Sequence, residues 1–421
     1  MPADSDHPAG SQEPAGLDAL RADTSSRLAR LLRPASEGAP VGVLGAGSDD
    51  LESGRAYLVT LAGGGFAVPG WPVAHGGMGL DQAGADTVRS VLAEFEAPDM
   101  YPFLVGLDLI GPTVLAHGNA EQQARWLSPM RSGEEIWCQM FSEPDAGSDL
   151  AGLKARAVRD GDGWRVTGSK VWTSRAHYSK WGLLLARHDP HVPKHKGITA
   201  FGIDMSAPGV NVRPLVQMNR DAHFNEVFLD DAWIPDTDRI GAAGEGWRVA
   251  ITCLSFERGA LGGELGVKAD QLQSLAALLP AAGTAVGAVR RDEWAACLAD
   301  FRVSQWSGMR AQESRRAGRA PGPEDSGSKL RGTALVKRIA ALGMAAEGAG
   351  GTAGVGVVAG PGGAAAGAGD APDEWQSMFL MSPSLSIRGG TDEIQRNILG
   401  ERVLGLPAEP RVDKDRPFSE T

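Results

Sequence analysis

One carboxylate is set where a carboxylate is costly. From Trp247 onward, Ile251, Leu254, Leu261 and Leu265 mark an apolar helical stripe, and Glu257 falls on it. Turning an acid inward raises its pKa through desolvation unless a partner compensates. Such a group can serve as general base toward a weak carbon acid. An ion pair with adjacent Arg258 or another helix accounts for the same spacing, and spacing by itself favours that plainer account. Gly259, Gly262, Gly263 and Gly266 make a second face of small residues, against which a neighbouring helix or an extended ligand can pack closely.

Two further stretches carry polar groups in loops. Phe141-Ser142-Glu143-Pro144-Asp145-Ala146-Gly147-Ser148-Asp149 packs short donors and acceptors around a Pro and a Gly. A loop of that composition presents hydroxyls and backbone N–H groups and does not fill a core. It leads into Trp164-Arg165-Val166, a turn at Gly168-Ser169, then Val171-Trp172 and a break at Thr173-Ser174. Taken alone, this is also what an ordinary hairpin with a decorated turn looks like. The second stretch is Gly389-Gly390-Thr391-Asp392-Glu393-Ile394-Gln395-Arg396-Asn397-Ile398, continuing through Glu401-Arg402-Val403-Leu404-Gly405-Leu406-Pro407.

In this order and at this separation, the two stretches resemble the signatures of the acyl-CoA dehydrogenases. These are flavoproteins that place a double bond between the α and β carbons of an acyl thioester. Weaker similarity runs from about Gly64 to Pro407 and includes His75-Gly76-Gly77-Met78-Gly79-Leu80. The resemblance implies FAD as cofactor. It implies Gln139, Phe141 and Ser142 against the flavin ring system, and Trp172 packed on the isoalloxazine. Ser174 stands near N5, where Thr is common. Thr391 and Glu393, the latter replacing a Gln, stand near the adenosine diphosphate part. Ser148, Ser255 and Arg258 match the pantetheine and thioester channel. The Gly389 backbone N–H, beside Gly390, polarises the thioester carbonyl together with a ribityl hydroxyl.

Most members of that family carry the base just before the Gly-Thr of the C-terminal signature, where this chain has Gly389. A minority, including those resembling isovaleryl-CoA dehydrogenase and many actinobacterial members, place it on the helix that Glu257 occupies. The implied reaction therefore gives the α-proton to Glu257 and the β-hydride to flavin N5. An electron-transfer flavoprotein would take the electrons, since no nicotinamide motif is present. Val41–Asp49 has glycines but lacks the third one, with Asp50 in its place.

The chain also departs from the family. The Gln-and-Gly segment that usually touches the flavin pyrophosphate is missing around Gly348–Asp370. Val289–Trp294 stands where an Arg-x-Gln-Phe-Gly-like segment normally reaches a neighbouring subunit's flavin. Thr391 suits a helix N-cap as well as a cofactor contact, and Asp392 and Glu393 load that helix start negatively, against a docked phosphate. Three rivals follow: a catalytically incomplete partner subunit of a heteromeric acyl-CoA dehydrogenase, a flavin-dependent monooxygenase on the same fold, and a dehydrogenase of acyl groups on a carrier protein.

The elements that must hold these residues divide the chain. Residues 1–16 are acidic and Pro-rich, a disordered tail and not a signal peptide. Residues 17–137 show helical periodicity, notably over Asp49–Ala62, Gln82–Glu94, Gly106–His117 and Ala120–Arg131. Residues 138–242 read as a compact antiparallel β-barrel or sandwich, with runs at Trp164–Trp172, Trp181–Arg187, Ile198–Asp204, Val210–Met218 and Glu226–Ile234. Residues 243–421 return to helix, a four-helix bundle by resemblance, interrupted by a flexible Gly/Ala loop over 348–370. The fold class is thus α+β with several domains, as expected for 421 residues. A net charge of −11 argues against nucleic-acid binding, and no apolar run is long enough for a membrane span. Cys138, Cys253 and Cys297 are too scattered for a disulfide framework or a metal site, which fits a cytoplasmic protein. The resemblance implies an oligomer, of one chain or of two.

Overall fold

A computed structural model describes residues 14–35, 49–219, 221–264, 267, 269–280, 283–316, 322–323, 325–348, 374–410, 413 and 415–420. The first helix, α1 (Pro14–Leu28), opens on a proline suited to a first turn and so begins inside the expected tail; residues 1–13 lie outside the described residues. There follow α2 (Leu51–Ala62) and α3 (Gln82–Leu92), started by Asp50 and Asp81, whose carboxylates accept from the N–H of Ser53 and Gly84. A single helix over Gly106–His117 was expected. The backbone instead runs through α4 (Tyr101–Leu104), a widened π-helical segment (Val105–Ile110) and α5 (Gly111–His117). Pro112 explains the difference: its ring crowds the carbonyl four residues back and it has no N–H to donate, so the preceding turn opens. α6 (Ala120–Arg131) begins with a reciprocal Asn119/Gln122 capping box.

The middle of the chain forms one sheet: β1 (Trp137–Met140), β2 (Arg156–Asp160), β3 (Gly163–Ser174), β4 (Trp181–Arg187), β5 (Ile198–Asp204), β6 (Val210–Leu215), β7 (Phe224–Pro235) and β8 (Arg239–Ile240). The strand order is β6-β7-β3-β2-β4-β5-β8, with β1 beside β4. An antiparallel sheet was expected, but β1 runs parallel to β4, with the two strands of a hairpin intervening in sequence. The turn expected at Gly168-Ser169 is likewise absent. β3 passes straight through it, and the β2–β3 turn falls at Gly161-Asp162, Gly161 having φ 58°. Gly168 instead marks a register shift against β7, where a Cβ would meet Ala155 at 2.7 Å. Trp126 of α6 meets Trp137 edge-on at 5.2 Å, and Trp137 stacks on Trp181, so three indoles seal the helices to the sheet.

The C-terminal part comprises α7 (Gly246–Glu264), α8 (Ala269–Leu278), α9 (Ala285–Arg316), α10 (Asp325–Glu347), α11 (Glu374–Met381) and α12 (Asp392–Ile398). Its own core includes Cys297, Phe301, Leu335, Ile339 and Trp375, drawn from α9, α10 and α11. α7 packs instead on β5 and the π-helical segment, which joins the C-terminal helices to the rest. Almost all of the expected Gly/Ala loop lies outside the described residues. Among the described residues, no helix is long and apolar enough to cross a membrane, and no cluster of His, Cys, Asp or Glu could hold a metal.

Candidate active site

The inward face of α7 is not the stripe the spacing predicts. Ile251 is exposed and Leu254 half-buried, whereas Val249, Ala250 and Cys253 are buried. Periodicity cannot rank neighbouring residues on a helix that is buried on one side only. Leu261 keeps its place on the helix, but its side chain and Leu265 are outside what is described. Glu257 follows Cys253 by one turn, on the edge of the buried face, and is half-buried. Its charge acts on the Cys253 thiol, which burial first, and then Glu257, pushes up to about 12. That thiol is an inert, protonated wall and not a nucleophile.

Cys253 also connects Glu257 to the sheet. Gln139 Nε2 on β1 donates to its sulfur at 3.6 Å. The structure thus brings Gln139 within one helical turn of Glu257, by way of a residue the sequence reading did not single out. One residue before Cys253, Thr252 Oγ1 lies 2.8 Å from His117 Nε2 at the end of α5. Desolvation, with Arg248 nearby, lowers the His117 pKa and favours the neutral ring.

The loop after β1 is held rigidly. Glu143 is buried, and its carboxylate accepts from Lys154 N at 2.6 Å, Ala155 N at 2.9 Å and Lys170 Nζ at 2.7 Å. Lys170 is fully buried and also donates to Phe141 O at 3.1 Å. Burial lowers its pKa, with Glu143 opposing. The ion pair therefore ties the 141–146 turn to β3. The signal for it was legible: Lys170 shares the inward phase of Trp164 and Val166, where a charge requires a partner. Val171 N donates to Ser142 O at 2.9 Å, placing Ser142 beside the last part of β3.

There β3 bulges. Between Lys170 and Thr173 its register against β7 shifts, and Trp172 takes φ 58°, a strained value for a bulky residue. The result is an indole 60% exposed, edge-on to Phe224, next to half-buried Ser174 and Ser142. Phe141 is buried behind them. A planar aromatic cofactor fits this arrangement of one free indole face and two hydroxyls.

The remaining positions are more scattered. Ser148 is exposed in the 141–149 loop. Ser255 is exposed on α7, its hydroxyl donating to Thr252 O. Gly259, Gly262 and Gly263 lie on α7, but the side chain of Arg258 and what packs on that face lie outside what is described, as does Gly266. Gly389 and Gly390 take φ 64° and 84°, so a glutamate at 389 would be strained there whatever its chemistry. Thr391 caps α12, accepting from Ile394 N at 3.2 Å, and Glu393 is exposed beside Arg396. Asp392 and Glu393 do stand in the first turn of α12, and Lys329 pairs with Asp392 at 3.3 Å and offsets its charge. Partial burial works against the Asp392 carboxylate, yet Ser386 and Lys329 hold its pKa below the ordinary value, and Lys329 also donates to Gly390 O. Two surface clefts, one around His117, Asn119, Asp236 and Arg239 and one around Asp204, Asp231 and Trp233, include none of the residues expected from the sequence to form the site.

Comparison with known proteins covers the same architecture in three consecutive pieces. Residues 48–134 match the acyl-CoA dehydrogenase N-terminal domain, 138–232 the middle domain and 244–404 the C-terminal domain. The acyl-CoA dehydrogenase IpdE1 of Mycobacterium tuberculosis is 38% identical over 86% of this chain and 90% of its own. The acyl-CoA dehydrogenase FadE34 of the same organism is 37% identical over 83% of this chain and 46% of its own. Among solved structures, one titled Tcur3481-Tcur3483 steroid ACAD superposes with a TM-score of 0.70 at 26% identity, covering 94% of this chain and 99% of that one. The ChsE4-ChsE5 complex from M. tuberculosis gives 0.69 at 26%, covering 95% and 99%.

Proposed function

From the premise that this chain belongs to the acyl-CoA dehydrogenase family, we propose that it desaturates an acyl-CoA thioester between the α and β carbons, with Glu257 as the base. It is an oxidoreductase, and FAD is its cofactor. When bound, FAD supplies the acceptor for the β-hydride. The residues that would hold its ring system are Trp172, offering an indole face, Ser142 and Ser174, offering hydroxyls, and Gln139 and Phe141 behind them. Thr391 and Glu393 would hold the adenosine diphosphate end.

Glu257 takes the α-proton. Its half-buried position one turn from a buried thiol, with Gln139 reaching the same thiol, gives a carboxylate partly shielded from bulk water. The Gly389 backbone N–H, presented by a left-handed turn that Lys329 braces through Gly390 O, would polarise the thioester carbonyl. Gly390 belongs to the same turn, and Ser148, Ser255 and Arg258 would border the CoA arm. The observation that carries this reading is the pairing of a half-buried Glu257 with a position 389 whose backbone disfavours an acid.

Anaerobic titration with a panel of short, branched, long and steroid-side-chain acyl-CoAs tests it. The steroid members are included because a similar structure bears that description. At least one thioester should bleach the flavin. Glu257→Gln should retain the flavin and lose the bleaching; undiminished turnover in that variant refutes the assignment. Electrons then pass to an electron-transfer flavoprotein in the cytoplasm.

A second reading concerns assembly. Val289–Trp294 stands where the family's partner-reaching segment is expected, and a similar structure is a complex of two named components. This favours a heteromer in which a second chain completes the cofactor's phosphate grip. Purified alone, the chain would then be colourless and would gain flavin when mixed with that second chain.

A further inference from the structure

The reaction just described gives no role to Arg175, a buried cation. Arg175 follows Ser174 at the end of β3, is 3% exposed and holds φ 55°, a second strained non-glycine position within four residues of the first. Its Nε donates to Asp49 Oδ1 at 2.7 Å, and its guanidinium lies over the Tyr101 ring at 4.3 Å. The Tyr178 hydroxyl donates to the same Asp49 oxygen at 3.0 Å. Nη1 and Nη2, by contrast, are buried and meet no acceptor among the described residues.

Nearby polar atoms share that condition. Thr173 Oγ1, Asn225 Oδ1 and His223 Nε2 are buried without partners. The backbone stitches these residues together, since Arg175 N donates to His223 O at 2.7 Å and Asn225 Nδ2 to Thr173 O at 3.1 Å. An arginine serving only as structural glue looks different here. Arg187, equally buried, spends Nε, Nη1 and Nη2 on the carbonyls of Leu153, Lys194 and Ala151. Leaving guanidinium donors buried and unmatched is costly, so an unmatched fork points to a ligand that supplies the acceptor.

Its location indicates which ligand. Tyr101 opens α4, which runs into the π-helical segment packed against α7, the helix of Glu257. Arg175 itself is one residue beyond Ser174. The fork therefore sits where the end of β3 meets the helices that back the base. We propose that Arg175 is a specificity-determining residue whose Nη1 and Nη2 receive an oxygen acceptor, a carboxylate or a ketone, carried on the acyl portion of the substrate; this rests on the acyl-thioester reading above. A planar two-donor fork grips a carboxylate bidentately and a carbonyl singly, while Asp49 offsets part of its charge.

The holoenzyme can be titrated calorimetrically with matched thioesters: hexanoyl-CoA against adipoyl-CoA, octanoyl-CoA against suberoyl-CoA, and valeryl-CoA against levulinoyl-CoA. In at least one pair the oxygen-bearing member should bind about tenfold more tightly, and Arg175→Met should bring that ratio close to unity. Asp49→Asn, which removes the competing carboxylate, should enlarge the ratio for the dicarboxylate pairs. No preference in any pair, or the same ratio in wild type and Arg175→Met, overturns the proposal. Should Arg175→Met not fold, an unchanged or smaller ratio in Asp49→Asn overturns it. Flavin bleaching by the same thioesters keeps the two readings apart. Bleaching without an oxygen preference sinks only the role of Arg175; a preference without bleaching sinks the dehydrogenation; no binding at all sinks both.

Discussion

Lys170 and Glu143 show how much of the site rests on one buried ion pair. Between them they fix the 141–146 turn, β3 just before its bulge, and two backbone N–H groups at 154 and 155. Replacing one partner leaves the other charge buried and uncompensated, which typically costs about 3–5 kcal/mol. Glu143→Gln should lower the urea midpoint accordingly, and adding Lys170→Met should restore part of the loss, since an apolar pair strands no charge. An unchanged midpoint in Glu143→Gln would show that the pair does not organise the loop. Glu257 was legible at this scale as an acid on a helix, although the stripe predicted around it is not the buried face. Its actual neighbour was not: Cys253 is a small residue in sequence and becomes a contact between β1 and α7 only in three dimensions.

Among the elements, starts were more legible than interiors. Asp50, Asp81 and Asn119 announce three helices because short side-chain acceptors satisfy the first free N–H groups locally. The bulge at Trp172 and the widened turn before Pro112 depend on what packs on either side, and periodicity does not carry that information. The end of β7 provides a test in acid. Asp236 accepts from Arg239 Nε at 2.9 Å and Trp164 Nε1 at 2.7 Å, and pairs with Arg159 at 2.6 Å. The hydrogen bond from Arg239, then that from Trp164, hold its pKa well below the ordinary 3.8, burial opposing. The folded form thus stays ionised where the unfolded chain takes up a proton. The stabilisation is present above the ordinary carboxylate value and is lost as pH falls below it. Asp236→Asn should therefore lower stability at neutral pH and flatten the decline of stability with acid; an unaltered acid limb in thermal melts would contradict this.

At the scale of the whole molecule, the long helix α9 keeps one side uncovered. Exposed Ala296, Ala299, Val303 and Trp306 follow one another at steps of three and four residues, with exposed Val289 two turns before them, the spacing of a seam between helices. The opposite side of α9 carries Cys297 and Phe301 into the C-terminal core. The prediction is that a second subunit, identical or not, sits on this uncovered side. Sedimentation should show the chain assembled with itself or with a co-expressed partner, and Trp306→Glu should shift the distribution toward monomer. A wild-type distribution that Trp306→Glu leaves untouched would place the contact elsewhere.

Composition and local pattern by themselves determined the helix–sheet–helix sequence of the chain, the helix that carries Glu257 and the polar loop at 141–149. Each of these is written in short-range periodicity, capping and turn chemistry, which act over a few residues. Only the tertiary structure decided that β1 lies parallel to β4, that Lys170 meets Glu143, that Trp172 is thrown outward, and that Arg175 keeps two donors unspent. Those outcomes depend on segments far apart in sequence competing for the same space and the same hydrogen-bond partners, and no local pattern encodes that competition.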